Sequence, residues 1–242
     1  MRKGLVPIVV AIIIGLAIVW TANIFSSTAI SIKNKGHVKV KGFAKKTISS
    51  DLAIFEATIF AENKDLKSCY EILNKDKQKV AKYLENFGFS KKEVEFFAAK
   101  IGERFKLNEK GYKTEERVAF ELFQRVKIKS EDVYKIEKLA ADVVGVLGEG
   151  VQLAVKEPKY INTKIEELKL EMIGKATANA KDRAQVVSKQ GKFRLGPIAS
   201  VRIGVFQITP LYSTEISGYG INDTSSIEKE IKSVVEIEYF VK

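Results

Sequence analysis

From Leu5 to Phe25 the chain reads LVPIVVAIIIGLAIVWTANIF, with no charged side chain. Roughly 20 apolar residues, rising about 1.5 Å each as a helix, match a hydrocarbon core about 30 Å thick. A run of this kind at a chain terminus fits poorly as a buried core helix, so it divides the sequence. Residues 1–4 form a basic n-region, 5–25 a transmembrane signal anchor, 26–36 a linker, and 37–242 a folded domain. Arg2 and Lys3 supply the basic flank of an export signal. Leu5, Ile12, Gly15, Trp20 and Phe25 mark the anchor, with Trp20 where an interfacial aromatic sits. Its length and its Ile and Val content favour an uncleaved anchor. The alternative is a cleaved peptide, for which Ser27-Thr28-Ala29 offers a loose cleavage site.

Charge adds a second constraint. Lys and Arg total 41 against 30 Asp and Glu, a net charge of +11, which favours anionic partners without choosing among them. Lys33, Lys35, Lys39, Lys41, Lys45 and Lys46 all follow the apolar run before the first acid, Asp51. They read as a solvated juxtamembrane linker or as a contact for anionic headgroups, the latter worth roughly 1 kcal/mol per lysine near the surface. Nucleic acid is not an expected partner, because aromatic interleaving is confined to Phe43 and no stacking platform is evident. By the positive-inside rule the same lysines put the folded domain in the cytoplasm. That conflicts with export and leaves topology open at this point.

The chain holds one Cys and one His. Cys69 alone permits no intrachain disulfide, and one Cys with one His cannot build a structural zinc site. Cys69 falls on an apolar helical stripe and reads as a buried, inert thiol; exposed in an oxidising compartment, it would instead open a disulfide or peroxide-sensing role. His37, among lysines, reads as a structural or surface residue. The acylation motif G-x-S-x-G is absent, and Gly145–Gly150 closes a helix where a phosphate loop would open one. Glu166-Glu167 and the Glu236/Glu238 pair lie on solvated faces. No catalytic residue, metal or cofactor is expected.

Periodicity predicts an α+β domain. Val38–Lys41 alternates as a strand that Gly42 ends or bulges, pairing antiparallel across Lys45–Ser50 with a strand over Asp51–Glu62. Helices are predicted over Asn63–Phe87, Ser130–Leu147 and Asn162–Gln190, the last with an Ile165, Leu168, Met172, Ala176, Ala180, Ala184, Val187 stripe. Val94–Lys106, apolar on both faces, reads as a central strand, and Glu116–Lys129 as the clearest strand of all. Val151–Val155, Ile198–Ile208 and Ile227–Val241 complete the order ββα-ββα-β-α-ββ: mostly antiparallel sheet with three packed helices on one face. Between the last two strands, Thr209–Ser226 is a long loop, functional or mobile.

Three stretches stand out. The first is Gly36-His37-Val38-Lys39-Val40-Lys41-Gly42-Phe43-Ala44 with Asp51 at the next strand. The second runs from Tyr83-Leu84-Glu85-Asn86-Phe87-Gly88-Phe89 to Glu93-Val94. The third is Ala176-x-x-Asn179-Ala180-Lys181-Asp182-Arg183-Ala184, followed by Gly191 and Leu195-Gly196-Pro197-Ile198. In order and spacing they resemble the SIMPL domain, an envelope family in bacteria with cytoplasmic relatives in animals. Ser50 stands where Pro is usual, and Asn179 where Asp is usual. The resemblance implies an exported, membrane-anchored domain that self-assembles, with the lipid membrane and further copies of itself as partners and a link to oxidative-stress protection in some members. The family brings no agreed catalytic residues. The alternative, motivated by the lysines, is a cytoplasmic-facing adaptor tethered by the same helix.

Overall fold

The computed structural model describes residues 14–22 and 36–242, so Leu5, Ile12, Phe25, Lys33 and Lys35 lie outside it. Residues 14–22 are helical, with Gly15 and Trp20 exposed. Among the described residues no helix is long and apolar enough to cross a membrane. Residues 36–242 are α+β, with two mostly antiparallel sheets, and divide into two compact units.

The larger unit takes residues 45–169 and 206–232. Its centre is β2 (Leu52–Asn63), where strict alternation buries Ala53, Phe55, Ala57, Ile59 and Ala61. β2 runs antiparallel to β5 (Lys113–Ser130), from Ala53 opposite Ser130 to Asn63 opposite Phe120. β3 (Val94–Phe96) and β4 (Lys100–Leu107) flank β5, while β6 (Leu153–Val155) and β7 (Lys159–Ile161) flank β2. Two helices bury the inner face: α1 (Leu66–Asn86) and α2 (Val133–Asp142), the latter continued by a 3-10 segment over Val143–Glu149. Asp65 caps α1 by accepting from the Ser68 N–H at 2.8 Å, and Asp132 caps α2 by accepting from the Lys135 N–H at 3.0 Å. Phe55, Ile59, Ile128, Ile136 and Leu139 are all less than 2% exposed, and burying each contributes roughly 1.5–3 kcal/mol.

Within residues 36–242, the smaller unit takes 36–44, 170–205 and 233–242. It contains the first part of β1 (His37–Ser49), most of α3 (Ile165–Gln190), β8 (Leu195–Ile203) and the second part of β11 (Glu228–Val241). β8 pairs antiparallel with β11, Val235 lying opposite Ile203 and Val241 opposite Leu195. Val40, Ala176, Ala180, Ala184, Val235, Ile237 and Tyr239 form the core. In the larger unit, β9 (Gln207–Pro210) pairs antiparallel with the start of β11 and parallel with β10 (Ile221–Asn222).

Four expectations change. β1 and β2 are not a hairpin, because they lie in different sheets: β1 pairs with β11, and at the Ser50-Asp51 corner the Ser50 N–H bonds the Ile227 carbonyl at 2.9 Å. The alternation of β1 runs unbroken through Gly42 to Ser49, which leaves no residues for a turn. Val94–Lys106 is not one central strand but β3 and β4, both on the outer side of β5. Ile198–Ile208 splits at Gly204, giving β8 and β9. The order is therefore ββα-βββα-ββ-α-ββββ.

Candidate functional site

The lysines of β1 were the leading surface candidates. Alternation puts Lys39, Lys41 and Lys45 on one exposed face, while Lys46 is half-buried on the other. Lys39 Nζ lies 2.8 Å from Glu236 and Lys41 Nζ 3.8 Å from it. In the larger unit, Lys45 Nζ lies 3.3 Å from Glu230. The hydrogen bond from Lys39 holds the Glu236 carboxyl below its ordinary value. The three ammonium groups remain 54–71% exposed, so solvent screens these pairs strongly.

Behind that face, β1 lies against α3 at backbone distance. A Cβ added to Gly42 would stand 2.0 Å from the Ala176 carbonyl oxygen and 2.4 Å from the Ala180 nitrogen. Only glycine on the strand and alanine on the helix permit this approach. Two side chains of α3 then close it. Asn179 Oδ1 accepts from the Phe43 N–H at 3.0 Å, and Arg183 Nη1 donates to the Lys41 carbonyl at 2.9 Å. In the larger unit, Asp51 holds the residues leading into α3: the Thr163 N–H and Oγ1 both donate to its carboxylate at 2.7 Å. Burial pushes the Asp51 pKa up, but these bonds and the Lys164 charge outweigh it and bring it below the ordinary value.

A family model described as SIMPL, protein of unknown function (DUF541), matches residues 38–237. The chain belongs to the SIMPL family. No curated protein matches it.

The three SIMPL-like stretches thus have physical roles. Gly42, Ala176, Asn179, Ala180 and Arg183 make the β1–α3 clasp, and Asp51 steadies the approach to α3. In the second stretch, Gly88 ends α1 at φ +94, a conformation that favours glycine, and Glu93 accepts from Ser130 Oγ at 2.6 Å and from the Ser90 N–H at 2.9 Å. These contacts join backbone to side chain within the fold.

The residues weighed for chemistry are accounted for separately. His37 lies on the surface, its Nδ1 3.6 Å from Glu238 and its ring centroid 4.8 Å from that of Phe240. Cys69 is fully buried, its Sγ 3.3 Å from the Ala61 carbonyl, and burial pushes its thiol pKa up. Among the described residues no cluster of His, Cys, Asp or Glu is arranged to hold a metal.

Sequence reading missed two features of the larger unit. Lys229, 2% exposed, sends its ammonium to the carbonyls of Tyr160 at 2.6 Å and Asp223 at 2.5 Å. Burial lowers its pKa against the opposing pull of the Asp223 charge. With these carbonyls as acceptors, the ammonium ties the Asp223 turn to β7. The second feature is a cleft of about 370 Å³ on the outer face of the six-stranded sheet, lined by Thr58, Phe97, Ala98, Lys100, Phe123 and Arg125. The Arg125 guanidinium lies 3.9 Å over the Phe97 ring, and Phe123 meets Phe60 at 5.2 Å between centroids. Its aromatics come from the link between β3 and β4 (Phe97) and from β5 (Phe123), so no local sequence pattern announces the platform.

Proposed function

We propose that this SIMPL chain is a membrane-anchored cell-envelope protein whose domain lies outside the cytoplasm and acts by self-assembly, without catalysis. The observation that supports the non-catalytic reading is the use of its signature residues: Gly42, Asn179 and Arg183 join strand to helix through backbone contacts. The apolar run Leu5–Phe25 and its basic flank support the anchor, with Leu5, Ile12, Gly15, Trp20 and Phe25 in the bilayer. A contribution to oxidative-stress protection would not run through a reactive thiol, since Cys69 is buried and its pKa raised. Native mass spectrometry of the full chain in mild detergent tests assembly, and a strict monomer at tens of micromolar overturns it. Alkaline carbonate extraction tests anchoring, because an anchored chain stays with the membrane pellet.

A second reading has one observation in its favour. Lys39, Lys41 and Lys45 share an exposed face of β1, which suits a cytoplasmic adaptor recruiting acidic partners or anionic headgroups. Alkaline-phosphatase and fluorescent-protein fusions after Lys242 separate the two readings. Phosphatase activity without fluorescence supports export, and the reverse supports the adaptor.

A further inference from the structure

The long segment between β9 and β11 is neither helix nor extended sheet, yet it is anchored at several points. Gln207, 8% exposed, grips Ser217 twice: its Nε2 donates to the Ser217 carbonyl at 2.7 Å, and its Oε1 accepts from the Ser217 N–H at 3.2 Å. Lys232 Nζ donates to the Ser213 carbonyl at 3.0 Å, and β10 returns the chain parallel to β9. Polar anchors, not burial of its own apolar side chains, give the loop its shape. Tyr212 sits at φ +64, a left-handed conformation that costs roughly 1–3 kcal/mol in a non-glycine residue and persists where the surroundings enforce it.

What the loop displays is apolar. Tyr212 is 95% exposed, Ile216 83% and Tyr219 100%. A tethered loop of Tyr, Ser and Gly with aromatic tips has the composition of a protein-binding paratope. Its charge indicates the partner's sign. Thr209–Ser226 carries no Lys or Arg, and the charge it displays is the exposed Glu215, since Asp223 is half-buried beside Lys229, in a chain of net charge +11. A basic, aromatic acceptor is therefore the complement, and an anionic bilayer is not.

The same unit carries such an acceptor in the Phe97–Phe123 cleft, rimmed by the exposed cations Lys100 and Arg125. Tyr219 is wholly exposed, so its ring is not in the cleft of its own chain. We propose that the Tyr212–Tyr219 loop of one copy docks in the Phe97, Phe123 and Arg125 cleft of a second copy. This rests on the self-assembly reading above and names its contact. A tyrosine ring packs against Phe123 and the free face of the Arg125 guanidinium, whose other face covers Phe97, and Glu215 meets the rim cations; Tyr and Arg are the residue types that most often dominate such interfaces.

The test uses the full chain in detergent micelles, followed by native mass spectrometry and sedimentation. Ile216→Ser with Tyr219→Ser removes the plug; Arg125→Glu, or Lys100→Glu independently, reverses the acceptor. All four side chains are exposed, and unchanged circular dichroism checks the fold. Each variant weakens self-association by at least about tenfold. A mixture of the loop variant with the Arg125→Glu variant recovers paired species that neither forms alone, because one intact plug then meets one intact cleft. If the wild type assembles and all variants assemble equally tightly, this contact is wrong while self-assembly stands. If the wild type is monomeric, both fall.

Discussion

Replacing Gly42 by Ala tests the β1–α3 clasp with a single methyl group. The new Cβ would lie 2.0 Å from the Ala176 carbonyl oxygen and 2.7 Å from the Ala180 Cβ, whereas ordinary contact begins at 3.4 Å. Strand and helix must therefore part by about 1.4 Å. That motion takes the Phe43 to Asn179 bond from 3.0 Å, and the Arg183 to Lys41 bond from 2.9 Å, beyond hydrogen-bonding range. The neutral bond contributes about 1 kcal/mol, the charged one about 1.5–3, and the overpacking itself costs about 1–3. The expected loss is about 5 kcal/mol, against a total stability of about 5–15 for most domains. For a domain of this size it lowers the melting temperature by about 10 °C. Asn179→Ala, which removes one bond and forces nothing apart, costs only about 1 kcal/mol. Thermal melts give the difference, and hydrogen exchange at the Phe43 amide reports whether the clasp has opened. A Gly42→Ala protein that melts within about 2 °C of wild type, with that amide still protected, refutes the close-approach argument.

Three further outcomes follow from the larger unit. The hydrogen bonds from Ser130 and then Ser90 hold the Glu93 pKa below its ordinary 4.5. The stability this contributes is complete above 4.5 and lost as pH falls through the lower folded value, so Glu93→Gln flattens the acid limb of a stability–pH profile. An acid limb identical to wild type would remove Glu93 from that role. Cys69 in the native protein resists a thiol reagent such as dithionitrobenzoate and reacts on denaturation, because it is 0% exposed with a raised pKa; rapid native labelling contradicts its burial. Lys229→Met leaves the Tyr160 and Asp223 carbonyls without their donor, and a chemical melt should lose about 2–4 kcal/mol. A loss under about 0.5 kcal/mol would mean that water replaces the ammonium there.

Much of this architecture was readable from local pattern. β2 alternates without exception, and both Asp65 and Asp132 cap where the sequence places N-terminal residues. The stripe predicted for α3 is the face that packs against a close neighbour, with Ala176, Ala180 and Ala184 wholly buried. Which neighbour was not readable, because Gly42 in an alternating strand looks like a terminator when its partner is unknown. The β1–β2 hairpin failed for a related reason: adjacency in sequence is a prior for pairing, and a two-residue corner at Ser50-Asp51 sent the strands to different sheets. Val94–Lys106 misled because apolarity on both faces is taken as burial on both. Phe97 is instead covered on the outer face by a guanidinium, and β4 lies largely in solvent. Lys229 was invisible as a buried residue, since nothing in the local strand pattern marks a lysine whose acceptors are carbonyls at residues 160 and 223.

The concentration of signature residues in the clasp has a thermodynamic reason. Phe43 and Asn179 are 136 residues apart, and closing a loop of that length costs on the order of 4 kcal/mol in chain entropy before any contact forms. Two hydrogen bonds and a few buried alanines offset this only if strand and helix meet at backbone distance, where every methyl counts. A position under that constraint accepts Gly or Ala and little else, so it stands out in a family pattern whatever the protein does. An exposed residue such as Tyr219 or Arg125 is under no such constraint from folding. In this SIMPL chain the residues that identify the fold and those that would meet a partner are thus physically separate sets. Substitutions at Gly42 should alter assembly only through stability, and those at Tyr219 only through binding.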